Sequence, residues 1–228
     1  MVAEDLKGAK RRKLSVWVIV AAIIILIGYV AYDIWSVDQK TRAALVAPGI
    51  ITDNKDPEKV AEGSQTTTPT KDDLSTYKVA DDEPRIITIK KLNVEARIRP
   101  MGLNADRTIQ APKNINDAGW YIGSAKPGEA GAMFIDGHAS GATHFGLFGY
   151  LKLLKNGDTL SVEKGDGTPL TYRVVHVETI PLDAIDMVKI LAPYEGVEKG
   201  LNLMTCTGKW LNDTKTLDHR VVVYTEQV

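Results

Sequence analysis

The chain holds one thiol, Cys206, inside the run Leu201-Asn-Leu-Met-Thr-Cys-Thr-Gly208. A sulfur in such an apolar stretch has two readings, a small buried core residue or a nucleophile acting as its thiolate. Thr207-Gly208 follow at once, the pattern of a strand running straight into an active loop. Thiol chemistry on a carbonyl needs a proton-transfer partner and a donor for the developing oxyanion. Four histidines are available for the first task. His138 ends an apolar run in Phe134-Ile-Asp-Gly-His-Ala-Ser-Gly141, where Gly137 and Gly141 allow a substrate backbone to come close. His144 falls in a segment with helical spacing and is expected to pack or cap. His176 sits inside a strand-like run, as a structural histidine would, and His219 opens the last such run. His138 is therefore the favoured partner. Arg220 is the cation for the second task, fourteen residues beyond Cys206 at the start of the run that would pair next to it. Its competing reading is a solvated arginine on a strand edge.

These residues need a scaffold, and the last 145 residues supply one. Short β-branched runs recur between turn signals: 85–89, 94–98, 132–136, 159–163, 170–179, 201–205 and 220–225. Asn156-Gly157 and Asp166-Gly167 punctuate them. Such spacing predicts a mostly antiparallel sandwich or barrel. Helical pieces are expected to be short, over 144–154 and 183–191. Residues 84–228 carry 17 basic and 16 acidic side chains, so this part is nearly neutral.

The region before it has a different composition. Residues 14–32 read LSVWVIVAAIIILIGYVAY, nineteen residues without a charge, enough to match the roughly 30 Å of bilayer hydrocarbon. Lys7, Lys10, Arg11, Arg12 and Lys13 precede this segment, and Asp33 and Asp38 follow it. The charge bias predicts a cytoplasmic tail over 1–13, an uncleaved single-pass anchor over 14–32, and everything later outside the cell membrane. A cleaved signal peptide is the rival, disfavoured by the length of the apolar core and the lack of an Ala-x-Ala site. Residues 33–83 read as a flexible extracytoplasmic tether. Between 53 and 83 there are nine acids against four lysines and few apolar residues to offset chain ordering. An exported thiol is exposed to oxidation, which favours a working role for Cys206 over an idle one.

Composition closes several other routes. Its 44% hydrophobic and 25% charged residues exclude wholesale disorder and fibrous repeats. A net charge of −1, from 28 basic and 29 acidic residues, offers no electrostatic case for nucleic acid as a partner. One cysteine excludes an intramolecular disulfide and any multi-thiolate metal site. Neither GxGxxG nor a P-loop occurs, so no nucleotide cofactor is expected. No acidic cluster suggests calcium, and neither a metal nor a cofactor is expected.

Taken together, the anchor, the Gly137-His138 pair, and Thr205-Cys206 followed by Arg220 resemble the sortase family. The resemblance extends over 84–228 through GLNADRTIQAP, GWYIGSAKPGEAGAMFIDGHASG and the LxxLxxGDxLxV pattern of residues 151–162. It is nearest to the class E/F branch. It implies an eight-stranded β-barrel with short helices. The implied activity is a cysteine transpeptidase that cuts a C-terminal LPxTG-like sorting motif of secreted proteins through a thioacyl intermediate. Cys206 would be the nucleophile, His138 the acid and base, and Arg220 the oxyanion donor. Thr205 and Trp210 would contact substrate. The implied acceptor is an amine of a peptidoglycan stem peptide or its lipid-linked precursor.

Two positions depart from the family pattern. Asn202 stands where the motif TLxTC begins with threonine, and Ser140 stands where many relatives place an aspartate two residues after the histidine. No apolar segment follows the last strand, which speaks against the pilin-polymerase branch. Two alternatives stay open: another exported thiol enzyme, such as an L,D-transpeptidase or cysteine hydrolase, and a non-catalytic cell-surface β-domain. The former is weakened by Met204-Thr205 at the place where a Ser-His-Gly-Cys motif needs His-Gly.

Overall fold

The computed structural model describes residues 66–141 and 144–228. The apolar segment 14–32, its basic flank and the first part of the tether lie outside the described residues. Among those described, no helix is long and apolar enough to cross a membrane. Strands form at β1 (Pro84–Ile89), β2 (Val94–Met101), β3 (Ala118–Tyr121), β4 (Gly131–Asp136), β5 (Thr159–Lys164), β6 (Pro169–Pro181), β7 (Lys199–Leu211) and β8 (Thr216–Gln227). They close into a barrel in the order β1-β2-β3-β4-β7-β8-β6-β5. Closure leaves no free edge, which suits a domain working in solvent. Most neighbours are antiparallel, as the turn signals predict. The pairs β2–β3 and β4–β7 are parallel instead. Parallel pairing needs long connections, and residues 102–117 and 137–198 supply them. The strand missed by sequence is β3, Ala118-Gly-Trp-Tyr121, too short and too poor in β-branched residues to stand out.

Strand periodicity sorts the side chains. Ile87 and Ile89, Met133 and Ile135, Leu201 and Leu203, and Val221 and Val223 all turn into the barrel and are buried there. Each such aliphatic side chain contributes about 1.5–3 kcal/mol through burial. The alternate residues Phe134, Met204, Val222 and Tyr224 face outward and build a second apolar cluster. Ile190 from the β6–β7 connection completes that cluster, with Ile180, Ile185 and Met187 packed around it.

Helix is scarce, as expected, and its placement differs in detail. Residues 144–154 form turns, with one 3-10 turn at Leu151–Leu153, where a helix was expected. The amides of Gly146 and Phe148 donate to the carbonyls of Ala139 and His138, so they are not available to helical bonds. Within 183–191 the helix is confined to α2 (Met187–Leu191), whose N-terminal amides are capped by the Asp186 carboxylate.

Residues 66–83 belong to the stretch that composition reads as a solvated tether, and they carry structure of their own. Helix α1 (Lys71–Thr76) opens with a reciprocal cap between Thr70 and Asp73. The Asn114 and Asn116 side chains donate to the carbonyls of Thr67 and Thr66 at 2.8 and 3.0 Å. Tyr77 donates its hydroxyl to the Ile98 carbonyl at 2.7 Å. Arg85, paired with Glu163, also donates to the carbonyls of Leu74 and Tyr77. Polar side chains of the barrel therefore hold a strap that has little apolar surface of its own. Composition registers burial, not directed hydrogen bonds, which is why it reads this segment as unattached.

Candidate active site

Two ladders bring the candidate residues together. In the parallel ladder of β4 and β7, the last partners are Asp136 and Met204. The amide of Gly137 extends that ladder by donating to the Met204 carbonyl at 3.2 Å. His138 and Cys206 each stand two residues past that last pair, on neighbouring chain segments at the same level. In the antiparallel ladder of β7 and β8, Cys206 lies directly opposite Arg220. Directly opposed side chains in such a ladder have Cβ atoms about 4.5–5.5 Å apart. The alternation that sends Met204 and Val222 outward puts Cys206 and Arg220 on the same outer face. Cys206 is half-buried there, not sealed in the core. A sequence separation of fourteen residues thus becomes a contact pair through one hairpin.

The arginine is held by the protein before any ligand arrives. Nη1 donates to the carbonyls of Leu217 and His219 at 2.8 and 2.9 Å, and Nη2 donates to the Thr216 hydroxyl at 3.0 Å. A guanidinium has five N–H groups in a planar fork, so these bonds fix its plane and leave donors for an incoming oxygen. The Thr216 hydroxyl oxygen also lies 4.0 Å from the Cys206 sulfur. That hydroxyl therefore bridges the guanidinium and the sulfur, accepting from Arg220 and sharing a hydrogen bond with Cys206 in which either can donate. Thr216 is a residue that sequence reasoning missed. Only the pairing of Leu211 with Thr216 across the hairpin reveals it.

His138 places Nε2 2.8 Å from the Pro112 carbonyl. A carbonyl has no proton to give, so Nε2–H is the donor, and Nδ1 is the nitrogen with a lone pair in the neutral ring. Thr205 is buried, and its hydroxyl donates to the Gly137 carbonyl at 2.8 Å. This bond ties the end of β4 to β7, just beside both His138 and Cys206. In this structure Thr205 has the geometry of a positioning residue. Asn202, the departure from the threonine pattern, is fully buried and donates to the carbonyls of Ile190 and Ala192 at 2.8 Å each. It clamps the end of α2 onto the outer face.

The segment after Cys206 is not a free loop. β7 continues to Leu211 and β8 begins at Thr216, so the expected active loop is the arm of a long hairpin. A bulge separates the Thr207–His219 and Trp210–Leu217 partners. Gly208, at φ 98°, forms that bulge with a backbone conformation other residues rarely adopt. Trp210 is half-buried on this arm, beyond the bulge from Cys206. His219 pairs with the Asp218 carboxylate at 2.7 Å, and that contact, followed by the Lys209 amide, holds Asp218 below the usual carboxylate range. His176 stacks on Tyr194 with ring centroids 4.9 Å apart, the packing role expected of it. His144 lies in the turn after His138, its carbonyl accepting from the Gly141 amide.

One further carboxyl belongs to this region. Asp136, two residues before His138, lies on the outer face beside Gly119, its β3 partner. A Cβ on Gly119 would come within 2.5 Å of Asp136 Oδ1 and 3.0 Å of Pro112 Cγ, so only glycine leaves room there. Burial pushes the Asp136 carboxyl up to about 7, and its Oδ1 has no hydrogen-bond partner among the described residues. Among the described residues no group of three or more His, Cys, Asp or Glu is arranged to hold a metal.

A sortase-domain family model matches residues 87–228, well over half of the chain. The protein belongs to the sortase family. As a sortase, it is a cysteine transpeptidase with an eight-stranded barrel. Similar solved structures include a lid mutant of sortase A from Corynebacterium diphtheriae, 25% identical over 63% of this chain and 68% of that one, with a TM-score of 0.48. Sortase C-1 from Actinomyces oris is 24% identical over 63% and 72% of the two chains, with a TM-score of 0.47. A pilus-related sortase C of group B Streptococcus is 20% identical over 73% and 76%, with a TM-score of 0.49. No curated protein matches.

Proposed function

We propose that this sortase cuts an LPxTG-like motif near the C-terminus of secreted proteins and joins the new end to a cell-wall amine. Cys206 attacks the motif's scissile carbonyl, the C–N bond breaks, and His138 gives a proton to the departing amine. An acceptor amine then attacks the thioacyl carbon, gives its proton to His138, and the C–S bond breaks. Arg220 donates to the carbonyl oxygen as it gains charge in both steps. Class E/F is the branch whose motifs the chain resembles. Residues 1–13 stay in the cytoplasm, 14–32 span the membrane, and the barrel works outside, close to lipid-linked acceptors.

The observation that supports this reading best is the direct pairing of Cys206 with Arg220, both joined to the Thr216 hydroxyl. A cysteine retained only for packing would not need a fixed guanidinium across from it. Mass spectrometry of the full-length protein in detergent, after incubation with a panel of sorting peptides, is the test. The expected result is an acyl adduct on Cys206 that is lost on adding an amine acceptor. An unmodified thiol with every peptide of the panel sinks the reading. An adduct released equally fast by water and by amines makes the protein a hydrolase instead.

A further inference from the structure

A cleft of about 790 Å³ lies between β2 and the connection that leads from β2 to β3. Its walls include Arg97, Arg99, Met101, Ala111, Lys113 and Asp117. Arg97 is spoken for, since its guanidinium forms a two-point pair with the buried Asp117 carboxylate at 3.0 Å. Arg99 and Lys113 are exposed and make no ion pair among the described residues. Arg99 lies over the ring of Tyr77, 5.1 Å from its centroid, and so is held in place by the strap rather than free to sweep through solvent. The charged lining carries three cations and one paired anion, so an uncompensated positive charge faces the cavity. The amides of Asn104, Gln110 and Asn114 add polar groups to the same walls.

The cleft is joined to the active site by a single residue. Ala111 and Lys113 line it, and Pro112 between them turns the other way, its carbonyl accepting from His138. Met101, also in the wall, touches the space around Gly119 where Asp136 and Pro112 meet. One turn of chain therefore has a cationic cavity on one side and the imidazole on the other.

We propose that this cleft binds an anionic group of the amine acceptor, placing the amine beside His138. This rests on the transpeptidase reading above and adds the acceptor's chemistry to it. An acceptor with an oxyanion near its amine would be held by Arg99 and Lys113 through charge-assisted hydrogen bonds. The planar, preset Arg99 fork suits carboxylate or phosphate oxygens equally. Two sources have that chemistry: a carboxylate of a stem peptide, or a phosphate of a lipid-linked precursor.

The test compares wild type with the double variant Arg99→Ala, Lys113→Ala, both as full-length protein in detergent, using a stem peptide with its carboxylates free and the same peptide with them amidated. For the free-carboxylate peptide, the expected result is an acceptor KM raised about tenfold or more with kcat little changed, a loss of ground-state binding. The amidated peptide should be a poor acceptor for wild type and insensitive to the substitutions. Inorganic pyrophosphate serves as a second probe. If the two peptides behave alike but pyrophosphate binds wild type and not the double variant, the proposal holds with phosphate as the anion. Equal KM values for the two proteins with both peptides, and no differential pyrophosphate binding, overturn it. Acyl adduct formation on wild-type Cys206 is followed in parallel. Failure there indicts the transpeptidase reading, and an isotope-edited titration of Cys206→Ala with the free peptide still reads the cleft directly.

Discussion

The two faces of the β4–β7–β8 part of the barrel differ sharply although they come from the same strands. Inward, Ile135, Leu203, Val221 and Val223 form an aliphatic lining in which the Thr205 hydroxyl is satisfied by Gly137. Outward, Asp136, Asn202, Cys206 and Arg220 share the other face, and among the described residues Asp136 Oδ1 and Asn202 Oδ1 lack partners. One step along a strand separates groups that hold the barrel from groups that can react. Polar atoms are costly inside an apolar layer, so chemistry collects on the side where a covering segment leaves access. Substitutions of the half-buried pair Cys206 and Arg220 should cost activity and spare the fold, and those in the inner lining should do the reverse.

The sharpest break in this contrast is Cys206→Ala, expected to lower transpeptidation by at least about 10³-fold. Its melting temperature should stay within about 4 °C of wild type, since a half-buried sulfur adds little packing. Unfolding by the same substitution would place Cys206 with the inner lining. Next comes Arg220. Losing one oxyanion donor costs about 10²–10³ in rate, so Arg220→Ala should lose about a hundredfold or more in kcat/KM. Arg220→Lys keeps the charge but not the fork and should lose about tenfold. A lysine variant equal to wild type would reduce the residue to a source of field.

On the inner face, Leu203→Ala should cost about 2–5 kcal/mol in chemical denaturation, by lost burial and a cavity. The fraction that stays folded should still form the acyl adduct at near wild-type rate. A stable but inactive Leu203→Ala protein would show that the two faces are not separable. Asp136 gives the most pH-bound effect. Its carboxyl goes from about 3.8 unfolded to about 7 folded, so the folded state holds the proton more tightly. Stability therefore falls as pH rises from about 4 to about 7 and stays lowered above that. Asp136→Asn should remove this loss. The gain should be at most about 4 kcal/mol at pH 8 and should vanish near pH 3. Thermal melts across that range read it, and a pH-independent difference would mean that Asp136 is not the buried acid described.

The barrel was legible in good part because strand formation follows local signals. Seven β-branched runs bounded by glycine and aspartate turns all became strands. β3 escaped because Gly119 and Trp120 carry no β-branched signature, and its position is set by partners on β2 and β4. The expected helix over 144–154 failed for a related reason. Apolar spacing registers which side chains are buried, but the amides there are taken by His138 and Ala139. Of the candidate residues, Cys206, His138 and Arg220 were legible by type and spacing. Thr216 and Asp136 were not, because Thr216 stands in no motif, Asp136 carries no assigned part in the one that holds it, and the surroundings of both are created by pairing.

By itself, then, the sequence determined the strand content, the outward and inward alternation along each strand, and the short set of side chains able to do thiol chemistry. Those properties are local, set by φ/ψ preference, period and side-chain type. Only the tertiary structure decided that β4 and β7 run parallel, so that His138 and Cys206 leave the sheet at one level. It alone turned the Cys206 loop into a hairpin arm, gave Thr205 to Gly137, and drew residues 66–83 onto the barrel. Each of these depends on hydrogen bonds between residues far apart in the chain. Such bonds leave no periodic trace in the sequence, because the partner's address is written in another segment.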